Sequence, residues 1–229
     1  MGVRVVAFVQ KKKYELMLLS FMVLIFGNTF GANGPVMGRI DVYQNMLAGI
    51  VAFYDKRRLR HSVMLLMLLS ISLGVFPEFV RIGDLGSWQG IIYLVFFSLV
   101  ALEVFRAVLY TRTVSRELLS ASLCGFVLLC LIATFLFYQI DVEVPHSFSN
   151  TGEGPAILSN LNYFSFTTLL TIGYGDILPV TLVAKRAVML MGLAGHFYTV
   201  FITSIIIGKY LSVERNRRRV VRKSPPFCR

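Results

Sequence analysis

From Leu118 to Ile140 the chain carries no Asp, Glu, Lys or Arg, and from Ala187 to Gly208 it again carries none. Runs of this length suit a bilayer, where a helix needs roughly 20 apolar residues to cross the hydrocarbon core. A helix also satisfies its own backbone there, without water. Five blocks read as spanning helices: 14–32, 61–80, 88–111, 117–140 and 184–212. Composition agrees, with 56% apolar and only 15% charged residues among the 229, against about 25% charged in a soluble domain. Mean hydropathy is +0.70.

The formal net charge is +11. A nucleic-acid binder would gather such charge on one surface. Here it falls in four clusters, Lys11–Lys13, Lys56–Arg60, Arg106–Arg116 and Arg215–Lys223, each flanking an apolar block. That is the pattern of positive charge retained on the cytoplasmic side, and no nucleic-acid partner is expected. If Lys11–Lys13 and Lys56–Arg60 are both cytoplasmic, the chain crosses an even number of times between them. A weaker block at 40–54 is then the return, giving six spans with both termini cytoplasmic. Lys185 and Arg186 depart from the rule, because they fall at the outer end of the last span. The first block, broken by Gly27, Gly31 and Gly34, is read as an uncleaved span rather than a signal peptide. Cys124 and Cys130 lie inside an apolar block and Cys228 in the basic tail, with no metal-ligand spacing.

Between the last two strong blocks lies Asn160-Leu-Asn-Tyr-Phe-Ser-Phe-Thr-Thr-Leu-Leu-Thr-Ile-Gly-Tyr-Gly-Asp176. Its first half is too short to span and is expected to be a re-entrant helix, 160–170, capped by Ser159 or Asn160. Such a helix would turn the negative end of its dipole toward a cation. The second half, Thr171 to Asp176, places glycine at alternate positions, Gly173 and Gly175. Lining up successive carbonyls on one side requires backbone angles that glycine adopts freely. A row of carbonyls can replace the hydration shell of a potassium ion. The expected ligands are the carbonyls of Thr171, Ile172, Gly173 and Tyr174, with the Thr171 hydroxyl at the inner end. Gly175 and Asp176 complete the loop. Ile172 and Tyr174 are expected to turn away from the ion path. Tyr163, Phe164 and Phe166 are expected to hold Tyr174.

On these residues the segment 117–212 resembles the pore module of tetrameric potassium channels: outer helix, pore helix, filter, inner helix. The resemblance implies an all-α membrane protein, a homotetramer around a central pore, and K+ as the permeant ion bound in the filter. Its Gly-Tyr-Gly centre is similar to the potassium-selective members. Two positions depart from the family pattern. Leu170 stands where a polar residue usually precedes the filter threonine, and Thr167 stands where some members carry a filter-supporting acid.

In the inner helix, Gly195 stands where the family has a bending point; close helix packing is the other use of a small residue there. Thr199, Thr203 and Ile207 share one face at four-residue spacing. That face is expected to line the cavity, with Ile207 near a cytoplasmic constriction, unless the threonines only bond back to their own helix. His196 is either a pH-responsive cavity residue or a packing residue. Strong inward rectification in the family relies on acids in the cavity, and no acid falls between Ala187 and Val213, so the resemblance implies weak rectification. Helices over 14–111 occupy the voltage-sensor position, but the fourth block offers only Glu103, Arg106 and, just beyond, Arg112, which predicts weak or no voltage dependence. The basic tail, 213–229, is expected to meet anionic lipid head groups or to act only as a topology anchor. The sequence therefore divides into a cytoplasmic N-terminus (1–13), a four-helix scaffold (14–111), a pore domain (112–212) and a cytoplasmic tail. The expected location is a prokaryotic inner membrane. The competing reading is an accessory or sensor subunit of a heteromeric complex. No enzyme activity is expected, because no span carries a cluster of titratable residues.

Overall fold

The computed structural model describes residues 12–26, 35–54, 56–75, 85–111 and 116–223. Among these residues the chain forms seven helices: α1 Lys13–Phe26, α2 Pro35–Ala52, α3 Arg57–Val75, α4 Leu85–Tyr110, α5 Arg116–Glu143, α6 Pro155–Leu169 and α7 Leu182–Lys223. Three of them hold stretches long and apolar enough to cross a membrane: Trp88–Tyr110, Arg116–Glu143 and Leu182–Leu211.

The weaker expected spans differ in physical detail. The described part of α1 has 14 residues, or about 21 Å at 1.5 Å per residue, which is short of a bilayer core. The rest of the block, 27–32, lies outside the described residues. The 40–54 block becomes an 18-residue helix that takes in Arg39 and Asp41. The 61–80 block begins earlier, at Arg57, and so incorporates three arginines; residues 76–80 lie outside the described residues, as do 112–115 of the connector into α5.

The helices pack as two connected cores. In the first, α4 offers Phe96, Phe97, Val100, Val104 and Val108, a stripe at helical spacing, to Leu118, Cys124, Leu128, Leu131 and Phe135 of α5. Met17 and Phe21 of α1, Met46 of α2 and Val63 of α3 join it. Phe97 sits at the junction, stacked on Phe135 at 5.4 Å and edge-on to Phe21 at 6.2 Å. The α1–α4 scaffold thus packs on the α5 of its own chain. Buried polar groups are paired across helices. Ser20 donates to Asn45 at 2.9 Å, and Tyr43 donates to the Ser70 carbonyl at 3.2 Å. Unpaired, each would cost on the order of 1–3 kcal/mol.

The second core lies under α6. Phe137 of α5, Phe148 of the α5–α6 loop and Phe164 of α6 form a triangle with centroid distances of 5.4, 5.6 and 5.7 Å. Leu161, Leu169, Ile177, Ala184 and Met191 close around it. A buried polar link ties α5 to α6, with the Thr134 and Ser165 hydroxyls 2.7 Å apart and Thr134 donating to Asn162 at 3.2 Å.

Two helix boundaries correct the sequence-based expectation. The short helix runs 155–169 rather than 160–170. Gly154 stands before it at φ 58, and Pro155 occupies its start, where proline loses no helical hydrogen bond and already has a helical φ. Ser159 and Asn160 lie inside the helix and cannot cap it. Asn160 instead donates to the Thr151 carbonyl at 2.9 Å. The last helix continues past 212 to Lys223, 42 residues in all, or about 63 Å. Apolarity stops near Leu211, but helix propensity does not depend on apolarity, and Glu and Arg are good helix formers. The helical part of the expected tail is 213–223; residues 224–229 lie outside the described residues.

Candidate functional site

The segment from Leu170 to Ile177 hangs from the C-terminus of α6. The Thr171 N–H donates to Thr168 O at 3.0 Å and the Ile172 N–H to Thr167 O at 2.8 Å. This double bond pattern closes a helix with a left-handed residue just past its end. That residue is Thr171, at φ 60. A β-branched residue is seldom found there, and strained backbone of this kind concentrates at functional sites. The Gly173 N–H also reaches Thr167 O, at 3.2 Å, while the Thr167 hydroxyl donates to Phe164 O at 3.1 Å.

Left-handed φ then recurs at every second residue: Thr171 at 60, Gly173 at 59 and Gly175 at 80. Ile172 and Tyr174 are not among the residues of positive φ. Residues 170–176 are all exposed, whereas Ile177 returns to the core at 5% exposure. The loop is therefore fastened at both ends and open along its length.

The expected aromatic support divides. Tyr163 lies parallel to Tyr174, with centroids 6.5 Å apart and planes 3° from parallel. Phe164 faces the other way, into the Phe137–Phe148 triangle, and Phe166 packs against the apolar cores. Phe164 directly follows Tyr163 and so lies about 100° around a helix of 3.6 residues per turn, while Phe166, three positions on and nearer the face of Tyr163, is taken up by the apolar cores instead. Asp176 is held from several sides. Its carboxylate accepts from the Ile177 N–H at 3.1 Å, and its main-chain carbonyl accepts from the Asn150 amide at 2.8 Å.

On α7, Gly195 is buried, and a Cβ there would stand 3.0 Å from Leu169 Cγ of α6. The helix is continuous through it. The structure thus favours the close-packing role over the bending role. Thr199 donates to Gly195 O at 3.0 Å and Thr203 to Thr199 O at 2.7 Å, so both hydroxyls are satisfied within their own helix. His196, Thr199, Thr203 and Ile207 are exposed in the single chain.

Two anchors of α7 are invisible in the sequence. Tyr198 donates to Ser122 O of α5 at 2.7 Å, passing over Gly125. Lys209 donates to the Val108 and Leu109 carbonyls of α4 at 2.6 and 3.3 Å. The last carbonyls of a helix lack intrahelical partners and carry partial negative charge. α4 has no basic residue in its own last turn, so Lys209 supplies that cation from another helix. Lys209→Met is expected to lower the thermal unfolding temperature of the detergent-solubilised protein by a few degrees, as loss of a charged hydrogen bond of about 1.5–3 kcal/mol implies. Lys209→Arg is expected to retain most of it. Unchanged unfolding in both would show that the contact contributes little.

Glu103 of α4 pairs with Arg106 at 3.1 Å, three residues on along the same helix, and also with Lys56 of the α2–α3 connection. Among the described residues no group of His, Cys, Asp or Glu side chains has the arrangement of a metal site.

No curated protein and no solved structure matches the chain. Residues 125–212, which hold most of α5, all of α6, the 170–177 loop and the apolar part of α7, match the family model described as an ion channel, and that match points to a non-enzymatic transport protein of the membrane.

Proposed function

We propose that the chain is one subunit of a homotetrameric, potassium-selective channel, with Thr171–Asp176 as its filter. The observation that carries this reading is the left-handed backbone at Thr171, Gly173 and Gly175, in a loop hung from the C-terminal end of a 15-residue helix. Alternating the sign of φ is a way to turn successive carbonyls to one side, and such carbonyls substitute for the water around K+. The C-terminal dipole of α6 adds negative potential near the same place. α6 is about 22 Å long at 1.5 Å per residue, which suits a re-entrant helix between outer helix α5 and inner helix α7.

One copy supplies one wall of such a passage, and the exposure of this copy matches that role. Leu170, Ile172 and Tyr174 are 50%, 48% and 71% exposed. The apolar part of α7 is the least covered of the three candidate spans. In a symmetric tetramer, neighbouring copies cover these surfaces, and the Thr199–Thr203–Ile207 face turns to the axis. Arg106, the basic residue within α4, pairs with Glu103 of the same helix, so α4 carries little net charge to move in a field. The six-span path with cytoplasmic termini follows from the charge pattern, and the basic end of α7 faces anionic head groups; the prokaryotic inner membrane is proposed from the resemblance alone.

The test is reconstitution of the purified protein in vesicles with a K+ gradient. The reversal potential against Na+ is expected close to the K+ equilibrium potential, with conductance nearly independent of voltage. A nonselective current would show that the loop with Leu170 before it does not select K+. Absence of both current and tetramer would favour the accessory-subunit reading.

A further inference from the structure

We propose that Asn150, in the loop between α5 and α6, is a positioning residue for the ion path. Its side-chain amide holds the outer end of the 171–176 loop by the Asp176 carbonyl and sets how long that loop keeps its conducting shape. This rests on the channel reading above.

The two halves of the loop are secured differently. The inner half is tied to Thr167 O through the Ile172 and Gly173 N–H groups. Among the described residues, no backbone–backbone hydrogen bond reaches Tyr174, Gly175 or Asp176. The outer half is left to side chains: Tyr163 from α6, stacked on Tyr174, and Asn150, which donates to Asp176 O at 2.8 Å. Asn150 comes from outside α6, so it fixes the outer end relative to a second support.

That support is firm. Ser147 and Phe148 are buried, and their N–H groups donate to Asp141 Oδ1 at 3.0 and 3.4 Å. On the far side of Asp176, Ser149 N–H donates to Leu178 O at 2.9 Å and Val180 N–H to Ser147 O at 2.8 Å, forming a short antiparallel clasp. The Ser149 hydroxyl also accepts from Leu178 N–H at 3.0 Å. Asn150 itself sits at φ 57, a backbone state that asparagine adopts more readily than most residues. The pinned clasp and this conformation deliver the amide to one carbonyl.

A bound ion stabilises whichever loop shape binds it, by mass action. Loss of the Asn150 bond should therefore matter most when K+ is scarce. The experiment compares wild type, Asn150→Gly and Asn150→Asp in vesicles of phosphatidylcholine and phosphatidylglycerol, following K+ flux over time at low and high K+. Asn150→Gly keeps the positive φ and removes only the amide. Asn150→Asp keeps the shape and turns an acceptor toward the carbonyl. At low K+ the flux of both variants is expected to decay at least about fivefold faster than wild type, the scale of one hydrogen bond lost in one of the four subunits. High K+ is expected to restore it, with subunit number and thermal unfolding unchanged. Variants matching wild type at both concentrations would overturn the proposal and leave the channel reading intact. So would variants that lose flux equally at both concentrations, or that fail to assemble, because Asn150 would then serve folding alone. Wild-type vesicles without selective K+ flux would sink the channel reading itself, and this inference with it.

Discussion

Gly173→Ala is expected to abolish selective K+ flux while leaving the subunits assembled. Gly173 has φ 59, and no heavy atom lies within 4 Å of the position a Cβ would take. The methyl group therefore meets no obstacle within the chain, and the cost is one of backbone conformation. A left-handed residue other than glycine costs about 1–2 kcal/mol. With one copy of the loop from each of four subunits, that becomes about 4–8 kcal/mol against the conducting shape. The chain escapes this cost by turning the residue to negative φ, which swings a carbonyl out of the row. The measurement is the reversal potential of reconstituted protein under a K+/Na+ gradient, with subunit number determined on the same sample. The wild-type value should be replaced by a nonselective one or by flux below detection. A Gly173→Ala protein with the wild-type reversal potential would remove the 171–176 loop from the ion path.

The second large effect is expected at Gly125, far from that loop. A Cβ there would overlap the Tyr198 hydroxyl and stand 3.1 and 3.3 Å from ring atoms Cζ and Cε2. Gly125→Ala must therefore push Tyr198 off Ser122 O, whose bond is 2.7 Å long, and separate α7 from α5. Overpacking of this kind costs roughly 1–3 kcal/mol. An apolar crevice of about 440 Å³ between α4, α5 and α7, lined in part by Phe105, Phe197 and Phe201, adjoins Tyr198. The ring has somewhere to go, which places the cost toward the lower end of that range. Tyr198→Phe alone loses one hydrogen bond, about 1 kcal/mol. In the double variant the hydroxyl that collides is gone, so the two losses should add to less than their sum by about 1 kcal/mol. Thermal unfolding of the four proteins in detergent closes this cycle. Strict additivity would mean that Gly125 and Tyr198 do not meet as described.

Much of the candidate site was legible because its signals are local. Gly173 and Gly175 declare the backbone angles of their own positions, and the apolar block from Leu118 to Ile140 declares its helix. Boundaries were less legible. The start of α6 lies five residues before the position that Ser159 and Asn160 suggest, because those two look like caps, while Gly154 and Pro155, which do start the helix, also suit an ordinary loop. The end of α7 is hidden because the apolar residues stop near Leu211 while the helix runs on to Lys223.

The partners of individual side chains were not legible at all. Phe164 and Phe166 look like equal companions of Tyr163 in a string of aromatics, and only the rotation of α6 against α5 sends Phe164 toward Phe137 and Phe148. Asn150 and Asp176 are 26 residues apart, Ser122 and Tyr198 are 76 apart, and Val108 and Lys209 are 101 apart. No periodicity or spacing rule links such pairs.

Local chemistry therefore fixes the inventory: apolar helices, the short helix, and a loop whose alternating glycines permit left-handed backbone. Each follows from the chemistry of a residue and its near neighbours. How these parts hold one another is a matter of long-range packing. That packing closed Gly195 against Leu169, passed Tyr198 over Gly125, capped α4 with Lys209 and fastened the outer end of the loop through Asn150. Those choices depend on which helix faces meet and at what height, and that is set by the packing of the whole chain at once.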